Sequence, residues 1–212
     1  MHLLLKTVAN NCIHWTNSVL TEKNSENKMK VDVEYLEFMW SMRHFLITCG
    51  DIEGKSNIIA VSFCMPISKE PPLIACAIGK KSCSSELIKN SKEFIVNVPL
   101  AELKQQIYYC GFHSGYQVDK FKETGLTAQP ARKVKAPVID ECVAHMECKV
   151  TQIIETGDKN LFIGEVVEAY ADETLTKGER KTEYAQGEFP WKVYGTRFKI
   201  PLSKVGVQTS QI

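Results

Sequence analysis

Between residues 45 and 171 the apolar positions fall into short runs, broken by glycines, prolines and charged clusters. Runs of this length, rich in β-branched and aromatic residues and bounded by turn formers, are the pattern of strands. Phe45–Cys49, Ile58–Phe63, Leu73–Ile78 and Phe94–Val98 have this character. Asp51-Ile52-Glu53-Gly54-Lys55 reads as a hairpin turn between the first two. Pro66 and the Pro71-Pro72 pair separate the second run from the third, and Pro99 closes the fourth. Two longer strands are expected over about Val143–Glu155 and Leu161–Ala171, with Gly157-Asp158-Lys159-Asn160 turning between them. In the second, Ile163, Val166 and Val167 mix with Gly164 and Glu165, which suits a barrel hairpin better than a helix. Val193–Ile200 is read as a final strand, and the tail from Ser203 carries little signal.

Helical spacing is confined to short stretches. Val33, Leu36, Phe38, Met39 and Trp40 predict a helix over 33–42. Ser84–Ser91 reads as a helix capped by Ser84, and Ala101–Tyr109 as another ending near Gly111. Residues 115–137, with Pro130 and Pro137, read as loop, and residues 172–188 as charged and turn-like. Many short strands with a few interposed helices predict a mainly β fold: an antiparallel barrel with short helices. The β-α-β alternation of a doubly wound fold is absent.

Residues 21–30, TEKNSENKMK, are polar without periodicity and read as a linker. One organised domain is therefore expected over 29–212, and residues 1–28 are expected to be an extension dispensable for folding. The opposing reading makes Leu3, Leu4, Leu5, Val8 and Trp15 an amphipathic arm.

Composition narrows the function. The chain has 212 residues, 44% hydrophobic, and a net charge of +1. That balance argues against a nucleic-acid binder, which carries a basic excess. No apolar stretch reaches membrane-spanning length, and no secretory signal is apparent. Of the eight cysteines, several sit inside apolar runs, where a free thiol packs as a small hydrophobe. No Cys-x-x-Cys pair occurs, so the expected setting is reducing and cytoplasmic.

Several motifs fail. Gly54-Lys55-Ser56 ends like a phosphate-binding P-loop, but Cys49 stands where the first glycine belongs. No Gly-x-Gly-x-x-Gly occurs. His145 and Glu147 lack the Pro-Cys-x-x-Cys that completes a zinc deaminase site, and His145 reads as structural. The five histidines show no metal-ligand spacing. What remains is a phosphate candidate. Lys80 and Lys81 stand beside Ser82, Ser84 and Ser85 at a helix start, which combines free amides, hydroxyls and point charges. Taken alone, it reads better as a serine-capped helix beside a solvated lysine pair.

A series of blocks resembles the flavin reductase-like family, flavoredoxins included. The first is Asn57-Ile58-Ile59-Ala60-Val61-Ser62-Phe63, with Pro66-Ile67-Ser68 and Pro71-Pro72-Leu73-Ile74. Next come Lys81-Ser82-x-Ser84-x-x-Leu87-Ile88 and Glu93-Phe94-Ile95-Val96-Asn97-Val98-Pro99. Cys110-Gly111-x-x-Ser114-Gly115-x-x-Val118-Asp119-Lys120-Phe121, Ala136-Pro137-x-Ile139-x-Glu141-Cys142 and Leu161–Val167 follow in order. The resemblance covers about residues 33–171. It implies an FMN-binding split β-barrel working as a homodimer. It further implies that Asn57, Ser62, Phe63 and Ser68 line the flavin and its ribityl chain. Lys80, Lys81, Ser82 and Ser84 would hold the phosphate, and Ser114, Asp119 and Lys120 would contribute from the loop after the helix. Three positions depart from the family pattern. Tyr116 stands where arginine is frequent, Lys159 stands where histidine is frequent, and residues 189–198 match only loosely. The implied activity is an FMN-dependent reductase using NADH or NADPH. The alternatives are an electron carrier exchanging with a ferredoxin-like protein, and a barrel holding another cofactor such as haem or a deazaflavin.

Overall fold

A computed structural model describes residues 42–173. Four strands come first: β1 (Phe45–Gly50), β2 (Ser56–Val61), β3 (Cys64–Lys69) and β4 (Pro72–Gly79). Helix α1 (Cys83–Ser91), strand β5 (Glu93–Val98), a 3-10 turn (Ala101–Leu103), α2 (Lys104–Phe112) and α3 (Lys120–Thr124) follow. Short strands β6 (Ala128–Gln129) and β7 (Val138–Ile139) precede the long hairpin β8 (Ala144–Thr156) and β9 (Lys159–Ala171).

Seven strands form one antiparallel sheet in the order β2-β1-β5-β8-β9-β4-β3. Its two edge strands are consecutive in sequence, joined only by Ser62 and Phe63. Laid flat, seven strands would hold their edges about 29 Å apart. A two-residue link spans about 10 Å at most. The sheet therefore rolls until its edges meet, and a barrel with a seam results. Register shifts at Glu147/Cys148 and Val150/Gln152 in the β8–β9 hairpin supply local bending. Gly164 leaves room for the Phe94 ring, since an added Cβ would come within 2.6 Å of it.

Alternation along the strands sorts the core. Ile47, Cys49, Val61, Cys76, Ile78, Phe94, Val96, Cys148 and Phe162 pack together with Ile88 of α1. Leu46 and Ile58 point the other way, against Ile107 and Cys110 of α2, with Leu126, Ile139 and Cys142. Ile95, Val134, Ala136 and Val138 form a third cluster. Each fully buried side chain of this size contributes about 1.5–3 kcal/mol.

Two polar networks are enclosed. Asn97 Nδ2 donates to Leu46 O at 2.9 Å and to Thr48 Oγ1 at 3.0 Å. Its Oδ1 accepts from Ile139 N at 3.2 Å and lies 2.9 Å from His145 Nδ1. An amide oxygen can only accept, so Nδ1 carries the proton. The buried Glu147 carboxylate accepts from Arg132 N (2.8 Å), Lys133 N (2.6 Å), Val134 N (3.2 Å) and the Tyr170 hydroxyl (2.9 Å). It thereby anchors the loop between β6 and β7. Both His145 and Glu147 are structural, as expected for the histidine.

The mainly β expectation holds, with local corrections. Pro66 does not interrupt the chain between strands but lies within β3. Because β3 is a sheet edge, the missing N–H need not cost a ladder bond. Ser82, not Ser84, caps α1. Residues 101–109 divide into the 3-10 turn and α2, and α2 runs past Gly111. The stretch read as loop contains α3. Lys159 and Asn160 belong to β9 rather than to the turn. The helix expected over 33–42 (save Met42), the linker and extension, the strand over 193–200 and the block over 189–198 lie outside the described residues. So does the segment read as turn-like beyond Glu173.

Candidate functional site

The seam carries a cavity of about 320 Å³. Its walls come from the end of β2 (Ile59, Ala60, Val61), the link Ser62–Phe63, the end of β4 (Ala77, Ile78, Gly79) and the end of α2 (Gly111, Phe112). Lys159 is the one cation in this lining among the described residues. Its Nζ lies 5.8 Å from the Phe63 ring centroid and 3.1 Å from Asp158 Oδ2. The Asp158 carboxyl is held below its usual range by that hydrogen bond and charge. A largely apolar slot with Lys159 at its lining results.

Gly79 leads from this slot directly into the start of α1. Ser82 is extended there (φ −81°, ψ 148°). Its Oγ accepts from Ser85 N at 3.1 Å and donates to Gly79 O at 2.8 Å. The amides of Cys83 and Ser84 precede the first intrahelical bond, at the positive end of the helix dipole. Lys80 reaches Glu155 at 3.4 Å. That pair is substantially exposed and therefore weak. Lys81 is exposed and has no ion-pair partner among the described residues. Glu86, in the first turn, accepts from the Tyr116 hydroxyl at 2.5 Å. This bond to a carboxylate pushes the phenol up to about 12.

Behind the helix start, two asparagines tie α1 to the barrel. Asn57 Nδ2 donates to Ser84 Oγ at 2.8 Å and Asn160 Nδ2 to Ser85 Oγ at 2.7 Å. All four side chains are buried. Asn160 Oδ1 is buried without a hydrogen-bond partner among the described residues. Gly115 lies against the Asn57 amide so closely that any Cβ there would overlap it.

The anticipated residues fall into separate groups. Ser62 and Phe63 line the slot. Lys80, Lys81, Ser82 and Ser84 surround the start of α1, and Asn57 joins them through Ser84. Ser68 sits half-buried on the edge strand β3. Ser114 is exposed and accepts from Tyr116 N at 3.3 Å. Asp119 caps α3 through Phe121 N (3.1 Å) and Lys122 N (3.3 Å). It also lines a second cavity, of about 490 Å³, with Lys55, Ser56 and Gly115. Lys120 is buried, and its ammonium donates to Ile58 O (2.8 Å) and Cys110 O (2.7 Å). Burial lowers its pKa. Sequence reasoning missed Asn160, whose place in the supposed turn hid its burial, and the slot walls Ile59, Ala77 and Phe112. These walls read as ordinary core.

A rolled antiparallel barrel, with a largely apolar slot at its seam and a cation-flanked helix start beside it, defines a split-barrel protein. The sequence profile of the flavin reductase like domain matches residues 41–191. A protein of Archaeoglobus fulgidus is 36% identical over 152 residues, covering 72% of this chain and 85% of its own length. A flavin reductase of Pseudomonas putida is 32% identical over 122 residues, 58% of this chain and 68% of its own. The flavoredoxin of Desulfovibrio vulgaris (Miyazaki F) superposes with a TM-score of 0.59 at 29% identity, covering 63% of this chain and 71% of its own. The chain belongs to the flavin reductase-like family.

Proposed function

We propose that the protein is an FMN-binding oxidoreductase that draws electrons from NADH or NADPH. The observation that supports this reading is that one short segment joins the apolar slot to a cation-flanked helix start. Gly79 lines the apolar slot, and Lys81 and the free amides of α1 follow within five residues. The slot volume falls in the range of small-molecule sites, and its apolar walls suit a flat ring system. Helix amides with a point positive charge suit a phosphate.

Ser62, Phe63 and Ser68 serve the ring and ribityl chain. Lys80, Lys81 and Ser82, with the first amides of α1, take the phosphate. Asn57 and Ser84 hold α1 in place against the barrel. Ser114, Asp119 and Lys120 set the loop after α2. FMN, when bound, supplies hydride and one-electron chemistry, while the protein supplies position and field. The protein further works as a homodimer. Strand β3 exposes Met65 (62%) and Ile67 (43%), apolar side chains that a second subunit would cover.

Likeness to a flavoredoxin supports a second reading: a carrier exchanging electrons with a ferredoxin-like protein. Anaerobic titration of the FMN-loaded protein separates the two. Bleaching of the flavin bands by NADH or NADPH is the expected result. Bleaching by reduced ferredoxin alone would replace the reductase with the carrier, and no bleaching by either would remove both.

A further inference from the structure

We propose that Cys64 and Cys76 form a reversible dithiol–disulfide couple at the barrel seam, oxidised by a peroxide and restored by a dithiol reductant. The inference stands apart from the flavin reading. Cys64 on β3 and Cys76 on β4 are direct partners in the antiparallel register. Directly opposed residues have Cα atoms about 4.5–5.5 Å apart, within the range that a disulfide bridges. Their sulfurs are 2.6 Å apart, so neither side chain must turn to meet the other. The Cys49 and Cys148 thiols are instead directed to main-chain carbonyls, of Asn57 and Met146.

The two thiols differ in access. Cys76 is fully buried and Cys64 only half-buried. Burial raises the Cys76 thiol well above its usual range, so oxidation begins at Cys64. Its sulfur attacks a peroxide oxygen and the O–O bond breaks. One oxygen leaves as water with the thiol proton, and the other stays as the Cys64 sulfenic acid. The Cys76 sulfur then bonds to the Cys64 sulfur, and the hydroxyl leaves with the Cys76 proton as a second water. The sulfurs lose two electrons in all, and these reduce the peroxide. A dithiol reverses the bond by exchange. The flanking residues give the couple a consequence. Phe63 and Ala77 follow the opposite alternation and line the slot, and Ala77 N donates to Phe63 O at 2.8 Å. A covalent clip between their neighbours fixes that wall.

The test treats the full chain with hydrogen peroxide, then unfolds it in iodoacetamide and maps peptides without reduction. The expected result is a linked pair of peptides containing Cys64 and Cys76, an intact mass lower by two hydrogens before alkylation, and recovery with dithiothreitol. In Cys76→Ser the same dose should carry Cys64 to the sulfinic acid, which the unaltered chain avoids. Alkylation of both thiols, a bond from either to Cys148, or sulfinic Cys64 in the unaltered chain would overturn the couple.

Discussion

The polar groups around Glu147 and Asn97 and those around the start of α1 are completed differently. The Glu147 carboxylate accepts three main-chain amides and a phenol, and Asn97 has a partner for each bond it needs. These groups satisfy one another and serve the fold. At α1, among the described residues, Asn160 Oδ1 is buried without a partner, Lys81 has no ion pair, and two amides precede the helical ladder. A native fold leaves few buried polar groups open, and the Asn160 oxygen lies where β9 meets α1, a few residues from Gly79 of the slot wall. Completed networks hold the barrel, while the open donors at α1 are the groups that the proposed ligand would engage.

The largest expected effect breaks the completed side. Glu147→Ala orphans several buried donors, each worth about 1–3 kcal/mol, so the urea midpoint should fall by the equivalent of about 3 kcal/mol or more. A loss under about 1 kcal/mol would mean water fills the nest easily. Next is Lys120→Met, which removes a buried ammonium from the carbonyls of Ile58 and Cys110. Hydrogen bonds to a charged group contribute about 1.5–3 kcal/mol, and the loss should appear in stability equally with and without FMN. A loss seen only in FMN affinity would move Lys120 to the ligand side.

Lys81→Ala addresses the incomplete side. FMN affinity should fall by about 1.5–3 kcal/mol, one to two decades, with riboflavin affinity and the urea midpoint unchanged. Equal weakening of both ligands would show that Lys81 does not read the phosphate.

Acid offers a smaller probe of the completed side. Burial, partly opposed by Asp172, Asp140 and Glu147, lowers the His145 pKa from 6.5. As pH falls, the unfolded chain therefore binds its proton before the folded one does. The stabilisation is complete above the ordinary imidazole pKa and is lost as pH falls through that value toward the lowered one. Urea midpoints should decline in that window, and less so in His145→Gln. Identical slopes would contradict the assignment. The smallest effect is expected from removing residues 1–28, which should change FMN affinity by less than about 1.4 kcal/mol.

Strand content and order were legible because period-two runs and turn residues are local signals. β3 was not, since Pro66 speaks against a strand unless its edge position is known, and edge position is a property of the whole sheet. The cap was misjudged for a local reason: Ser82 and Ser84 are equally good cap residues, and only the backbone turn at Ser82 decides between them. That Lys80, Lys81 and Ser82 gather at a helix start was legible from their spacing; their service to a phosphate is proposed. The different settings of Lys81 and Lys120 were not legible, because both are lysines near a helix start, and only burial distinguishes an exposed charge from one enclosed by carbonyls. Asn160 was hidden for the same reason.

The most direct test of the site is to precipitate the purified protein with acid and assay the supernatant for flavin. Release of free FMN at one per chain, or tight reconstitution of the stripped protein by FMN, is the expected result. A colourless protein that FMN cannot reconstitute would contradict the assignment of the slot and the start of α1 as a flavin site.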